Sequence, residues 1–270
     1  MLLAGLAAGG SGAAETPVEV APGVEGAWVT VAAPWDGRAV LLFHGMASDR
    51  DDAGDLLKQL AHRLAARGIA SLRINFRGEG DKARTRLEST FTTRLEDAAA
   101  ARAWVGRQAG VDAARIGALG FSLGAPTAVV TAARDATAFR SIAVWSSPSG
   151  DLFAGWETNP VAQRALREGE ATEDIPGWKR LTTKRAFYES FRGHDFDRAL
   201  AQYRGAFLTV RGSEDFLPAR DGELVKLAPG RPAEAALLGG ADHIFHAFQP
   251  ERGHVERVLA LTVAWFERTL

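Results

Sequence analysis

The sequence predicts an α/β fold, a mostly parallel central sheet flanked by helices. Three observations predict it. Short apolar runs alternate with longer stretches of helical spacing, as in a chain that lays down a strand, crosses over and lays the next beside it. Some of these runs, Ala39–Phe43 above all, are apolar throughout, as a strand buried on both faces requires. The chain has 270 residues, 46% of them hydrophobic and 24% charged, enough to bury one large core and normal for a globular protein.

Taken in order, Val18–Val20 and Ala27–Val31 read as early strands forming an antiparallel edge. Ala39–Phe43 is the first fully buried strand. Leu56, Leu57, Leu60 and Leu64 then recur at helical spacing, and Ile69–Ile74 is a short strand. Thr93 and Glu96 form a T-x-x-E capping-box pattern that places a helix start near Thr93. Arg115–Leu119 is a strand. Pro126 falls in the first turn of the following helix, where a missing N–H costs little, and Ala128–Ala133 continues that helix. Ser141–Trp145 is another strand.

From about Ser149 to Tyr203 no run resembles a strand. The segment holds Trp156, Trp178, Phe187, Tyr188, Phe191 and Phe196, and Pro160, Pro176, Gly177 and Gly193 break its helical stretches. It is too long for a bare loop in a compact domain. It reads as a helical cap inserted over one end of the sheet, at about 149–204. Phe207–Val210 resumes the sheet. A helix at Ala219–Leu227, a strand at Ala233–Leu238 and a final helix at Val255–Arg268 complete it.

Composition narrows the chemistry. There is no cysteine, which excludes disulfides, thiolate catalysis and cysteine-ligated zinc or iron–sulfur sites. A lipoprotein anchor, which needs a cysteine, is not expected. A net charge of −1 gives no reason to expect nucleic acid or an anionic membrane as partner. No histidine–carboxylate cluster has metal-ligand spacing, so neither metal nor cofactor is expected. Residues 1–14, MLLAGLAAGGSGAA, are apolar and small but too short to span a bilayer. They read either as a signal-peptide remnant with a small-residue cleavage site at Gly12-Ala13-Ala14, making the mature protein exported, or as the tail of a cytoplasmic one. Oligomeric state has no signature.

Gly120-Phe121-Ser122-Leu123-Gly124 reads G-x-S-x-G between the apolar run Ile116–Leu119 and the helix-prone stretch after it. A strand–turn–helix context is what lifts this short pattern above an ordinary glycine-rich turn. Ser122 is the candidate nucleophile. A hydroxyl needs a base, and His243, in Gly239-Gly240-Ala241-Asp242-His243, follows the last predicted strand. It leaves the sheet at the carboxyl edge, as Ser122 does, so the two can meet. His246 is its rival. The base needs an acid to set its tautomer, and Asp215 lies just beyond the penultimate strand, with Glu214 as its rival. A developing oxyanion needs donors. The backbone N–H of Leu123 is one candidate. The N–H of Met46, in the loop His44-Gly45-Met46 after Ala39–Phe43, is the other, with His44 bracing that loop.

With His44-Gly45, Gly120-x-Ser122-x-Gly124, Gly212-x-x-Asp215 and Gly240-x-x-His243 in this order, the chain resembles the α/β-hydrolase superfamily from Ala39 to its C-terminus. Within it, the chain resembles the capped group of monoacyl lipases, serine aminopeptidases and feruloyl esterases, which carry an insertion at the same place. That group's loop after the second parallel strand often reads D-x-R/N-G-x-G-x-S. Here it reads Asn75-Phe76-Arg77-Gly78-Glu79-Gly80-Asp81, with Asn for the leading Asp and Asp for the trailing Ser. The resemblance implies a cofactor-independent serine esterase with a Ser122–His243–Asp215 triad and a small-molecule ester substrate. A peptidase, a thioesterase or acyltransferase, and a non-catalytic binding protein are the alternatives. The aromatic residues of the cap suggest an apolar or aromatic group on the substrate, and short to medium acyl chains are expected.

Overall fold

Strands with no polar face set the architecture, because they must be covered on both sides. The computed structural model describes residues 13–32, 34–81, 83 and 85–270; the signal-peptide reading of the N-terminus falls on residues 1–12, outside the described residues, and on the two that follow. The chain runs β1 (Glu15–Ala21), β2 (Val24–Val29), β3 (Ala39–Phe43), α1 (Leu56–Ala65), β4 (Ala70–Ile74), β5 (Arg86–Leu87) and α2 (Phe91–Gly106). It continues through β6 (Ile116–Phe121), α3 (Gly124–Arg134) and β7 (Ser141–Trp145). Then come α4 (Ala154–Glu157), α5 (Pro160–Glu168), β8 (Glu170–Asp174), β9 (Arg180–Lys184), α6 (Arg185–Glu189) and α7 (Phe196–Leu200). The last elements are β10 (Ala206–Gly212), α8 (Asp221–Leu227), β11 (Ala233–Leu238) and α9 (His254–Thr269).

The central sheet has the order β1-β2-β4-β3-β6-β7-β10-β11. β1 and β2 are antiparallel at one edge, and β2 pairs antiparallel with β4. From β4 onward every pairing is parallel. All residues of β3, β4, β6 and β7 are buried. Side chains alternate between two cores. Val40, Leu42, Leu119, Phe121 and Trp145 join residues of α1 and α9 on one face. Leu41, Phe43, Ala118, Ile142 and Val144 join residues of α2 and α3 on the other. The apolar runs of the sequence therefore sit where two-sided burial needs them.

Two expectations change. The helix expected to start near Thr93 starts one turn earlier: Thr90 is the N-cap, its Oγ1 accepts from the Thr93 N–H, and Thr93 Oγ1 accepts from the Thr90 N–H. Glu96 is not part of the box because Arg77 holds it, Nη2 to Oε2 2.7 Å. The early start also seats Phe91 in the core, stacked on Phe191 at 4.9 Å.

The stretch between β7 and β10 is not free of strands. β8 and β9 form an antiparallel hairpin, and β5 adds to it in parallel. EATED and RLTTK lack an apolar alternation, so no period in the sequence marks these strands. Their pairing is polar instead, with Thr172 and Thr182 hydroxyls 2.7 Å apart, and the hairpin turns through Gly177 at φ 73°. The aromatic residues here largely pack on one another: Trp156 meets Phe187, Tyr188 and Phe191 with ring centroids 5.3–5.9 Å apart. Only Trp178 among them is well exposed, at 50%. The next residue, Lys179, reaches back to the main body and donates to the Ala47 carbonyl at 2.9 Å. Among the described residues, no helix is long and apolar enough to cross a membrane, and no group of three His, Asp or Glu side chains could hold a metal ion.

Candidate active site

Ser122 sits where β6 turns abruptly into α3. Its φ is 50°, left-handed for a residue with a side chain, a strained conformation of the kind stored at functional sites. The two glycines of G-x-S-x-G allow the turn through close approach. A Cβ on Gly120 would lie 2.2 Å from the Gly124 carbonyl oxygen, and a Cβ on Gly124 would lie 2.1 Å from that of Phe43. The Ser122 N–H donates to the Trp145 carbonyl at 2.9 Å, which ties the turn to β7.

His243 arrives from the loop after β11. Asp242 folds that loop by accepting from the amides of Ile244 (3.2 Å) and His246 (2.7 Å). From β7, the Ser146 hydroxyl donates to the His243 carbonyl at 2.8 Å; Ser146 also has a left-handed φ, 47°. The imidazole Nδ1 is 2.8 Å from Asp215 Oδ1 and Nε2 is 3.1 Å from Ser122 Oγ. A carboxylate only accepts, so Nδ1 carries the proton and Nε2 offers its lone pair to the serine hydroxyl. The ring lies between Phe121 and Phe216, with centroids at 5.5 and 4.4 Å. Phe216 is 77% exposed.

Asp215 follows β10, its side chain fully buried. Oδ1 also accepts from the Leu217 amide at 2.9 Å, and Oδ2 from Arg211 Nη1 at 3.1 Å. Burial alone would raise this carboxyl; the hydrogen bond and charge of His243, the Leu217 amide and the Arg211 charge outweigh it and hold it below its ordinary value. Arg211, itself buried, is fixed by Asp221 (2.8 Å) and the Ser147 carbonyl (2.6 Å).

The structure separates the rivals. Glu214 points outward and is exposed. His246 faces Arg252 Nη1 through Nε2 and His254 Nδ1 through Nδ1, each at 3.1 Å. His243 and Asp215 are the pair that reaches Ser122.

The loop after β3 lies against the serine turn: a Cβ on Gly45 would be 3.4 Å from Ser122 Cβ. His44 hydrogen-bonds within this loop and to the loop after β4. Its Nδ1–H donates to the Gly45 carbonyl at 2.7 Å, and Nε2 accepts from the Phe76 amide at 3.4 Å. Burial, only partly countered by Glu79, pushes the His44 imidazole below its ordinary value, so the ring is neutral. The Gly45 amide donates to Asp52 (2.7 Å) and the Ala47 amide to Glu79 (2.7 Å). Among the described residues, the amides of Met46 and Leu123 have no protein acceptor. Asp52, Glu79, Arg94, Arg211 and Ser146 are the residues around the site that sequence reasoning missed. Glu79, Arg94 and Ser146 act through contacts distant in sequence, whereas Arg211 lies four residues from Asp215 and Asp52 seven from Gly45; of the five, only Glu79 lay inside a noted motif.

Solved structures share this architecture. Est1E from Butyrivibrio proteoclasticus superposes with a TM-score of 0.68 at 16% identity, covering 93% of this chain and 98% of that one. The esterase domain of a Rhodothermus marinus protein gives 0.65 at 17%, covering 96% and 99%. Dienelactone hydrolase from Anabaena variabilis gives 0.63 at 16%, covering 96% and 100%. In sequence, the chain is 26% identical over 207 residues to uncharacterized proteins of two Mycobacterium tuberculosis strains; the match covers 77% of this chain and 63% of theirs, so the chain spans less than two thirds of their length. The family model described as serine aminopeptidase, S33 (Hydrolase_4) matches residues 37–172 of the 270, a span that takes in β3 and its loop, the Ser122 turn and the first part of the stretch between β7 and β10. The chain belongs to this serine aminopeptidase S33 family of α/β-hydrolases.

Proposed function

We propose that the protein is a serine hydrolase that cleaves carboxylic esters of small molecules through an acyl-enzyme on Ser122. One observation carries this reading: a strained, partly accessible serine joined by a hydrogen bond to His243 and through it to Asp215, beside two amides that have no acceptor among the described residues. Ser122 Oγ attacks the ester carbonyl while His243 Nε2 takes its proton. Asp215, held ionised, stabilises the imidazolium. The Met46 and Leu123 N–H groups receive the negative charge that develops on the carbonyl oxygen. His243 returns its proton to the departing alcohol, and water repeats the sequence to release the acid.

The insertion at about 149–204 serves in this reading as a cap, and exposed Phe216 offers an apolar surface beside His243. Among structures sharing the fold, one is Est1E with ferulic acid bound and another is named an esterase domain; shared fold alone does not transfer a substrate. The family's name raises the peptidase alternative. An aminopeptidase needs carboxylates to hold the substrate's ammonium group, and Glu168, Glu170, Glu173 and Asp174 are the acids of this stretch that could serve; Glu170 already faces Arg86 at 2.6 Å and Asp174 faces Arg180 at 4.0 Å. Parallel ester and anilide assays separate the two activities.

The test is a fluorophosphonate with intact-mass analysis and peptide mapping, followed by parallel p-nitrophenyl ester and aminoacyl p-nitroanilide assays. A single adduct on Ser122, ester turnover lost in Ser122→Ala, and little anilide turnover are expected. Full ester turnover in Ser122→Ala refutes the mechanism, and dominant anilide turnover replaces esterase by peptidase.

A further inference from the structure

A buried ion pair lies behind the loop that follows β3. Arg94 on α2 and Glu79 in the loop after β4 both have wholly buried side chains, Nη1 to Oε1 2.5 Å. Burying two charges is costly, and such a pair is weak evidence for stability by itself. Its other hydrogen bonds are therefore informative, and most of them end on one short stretch of backbone. Arg94 donates to the carbonyls of His44 (2.5 Å) and Gly45 (3.4 Å). Glu79 Oε2 accepts from the Ala47 amide at 2.7 Å. The Gly45 amide goes to Asp52. Of the three amides from Gly45 to Ala47, that of Met46 has no acceptor among the described residues, while the peptide groups on either side of it are held from within.

The same guanidinium reaches the other amide donor. Arg94 Nε donates to Thr127 Oγ1 at 3.5 Å, and that hydroxyl donates to the Leu123 carbonyl at 2.9 Å. The Phe76 ring lies 3.9 Å from the guanidinium carbon, and Ser89 donates to Glu79 Oε1 at 2.7 Å, so neither charge is free to turn.

We infer that Glu79 and Arg94 are positioning residues for the oxyanion site: through Ala47, His44 and Gly45 they aim the Met46 N–H, and through Thr127 they register it against Leu123. This rests on the serine-esterase reading above. The pair touches no substrate. Its effect belongs to the charge that develops in the transition state, so it falls on kcat and not on KM.

The experiment compares wild type, Glu79→Gln and the charge-free double variant Glu79→Gln/Arg94→Met in p-nitrophenyl butyrate hydrolysis. Rates are normalised to Ser122 sites titrated to completion with a fluorophosphonate, so unfolded molecules do not count. Inhibition by an alkyl boronic acid, which forms a tetrahedral adduct on the serine, is measured alongside. Loss of a whole oxyanion donor costs about 100- to 1,000-fold. A misaimed donor should lower kcat per site by about 10- to 100-fold, leave KM within about twofold and weaken the boronate by a matching factor. Unchanged turnover per titrated site, or a fall in KM-dependent binding alone, overturns the inference. So does the absence of titratable sites in both variants, which would make the pair a folding element. A wild type that neither labels nor cleaves the ester refutes the hydrolase reading instead.

Discussion

Replacing Asp215 by Asn changes almost no volume but inverts the hydrogen bond to His243 and removes the acceptor of the Leu217 amide. Asp215 Oδ1 accepts from His243 Nδ1 at 2.8 Å and from the Leu217 amide at 2.9 Å, while Oδ2 faces Arg211. Arg211 only donates, so an Asn side chain turns its carbonyl toward the guanidinium and its NH2 toward His243. That NH2 needs an acceptor, so Nδ1 gives up its proton and Nε2 takes it. The imidazole then presents N–H, not a lone pair, to Ser122 Oγ, and cannot act as base. A wrong tautomer in such an arrangement costs about 10,000-fold in kcat, or about 5.4 kcal/mol at about 1.36 kcal/mol per tenfold. Folding should suffer far less. Arg211 keeps Asp221 and the Ser147 carbonyl, so the buried charge is not stranded, but the Leu217 N–H then faces the NH2 and loses its acceptor, and a loss of about 1–3 kcal/mol follows from that unpaired donor. The assay is p-nitrophenyl butyrate hydrolysis per folded molecule, with thermal denaturation alongside. An Asp215→Asn protein that melts within a few degrees of wild type yet keeps more than about a tenth of its kcat would refute the assignment of tautomer and acid. Glu214→Gln, on an exposed side chain, should leave kcat within about twofold.

Gly124→Ala places a Cβ 2.1 Å from the Phe43 carbonyl oxygen, so β3 and the serine turn must part; a loss of about 3 kcal/mol or more is expected in urea denaturation, and a stable, active variant would contradict the close approach. His44 is buried and its imidazole is pushed below the ordinary 6.5. The unfolded chain then binds that proton first, so this residue's contribution to stability is complete above about pH 6.5 and declines as pH falls below it. Melting temperatures measured from about pH 7.5 to 5 should fall more steeply for wild type than for His44→Gln, and equal slopes would refute the sign. A p-nitrophenyl ester series from acetate to palmitate should peak at short to medium chains; a maximum at palmitate rules out that preference.

Patterns of short range were legible in the chain. Continuous apolar runs marked β3, β6, β7 and β10, because a strand buried on both faces has no polar alternation. Helical spacing marked α1, and the G-x-S-x-G context marked the turn at Ser122. The β8–β9 hairpin was illegible because EATED and RLTTK carry no apolar period; Thr172 and Thr182 pair across it, and the Thr183 hydroxyl meets that of Tyr188. The Thr93 cap was displaced by one turn because Phe91 and Arg77 each had a distant partner.

By itself the sequence determined which segments become buried strands, where the strained serine turn falls, and that candidate acid and base follow strands ending at the same edge. Those features depend on period, residue type and turn chemistry within a few positions. Only the tertiary structure decided that His243 and Asp215, not His246 and Glu214 a few residues away, meet Ser122. It alone showed that Arg211, Ser146, Glu79 and Arg94 hold that meeting in place. The reason is geometric: apart from Arg211–Asp215, four residues apart, these contacts join residues brought together by the register of parallel strands and their crossovers, and no local pattern encodes which side chains of neighbouring loops come within hydrogen-bond distance.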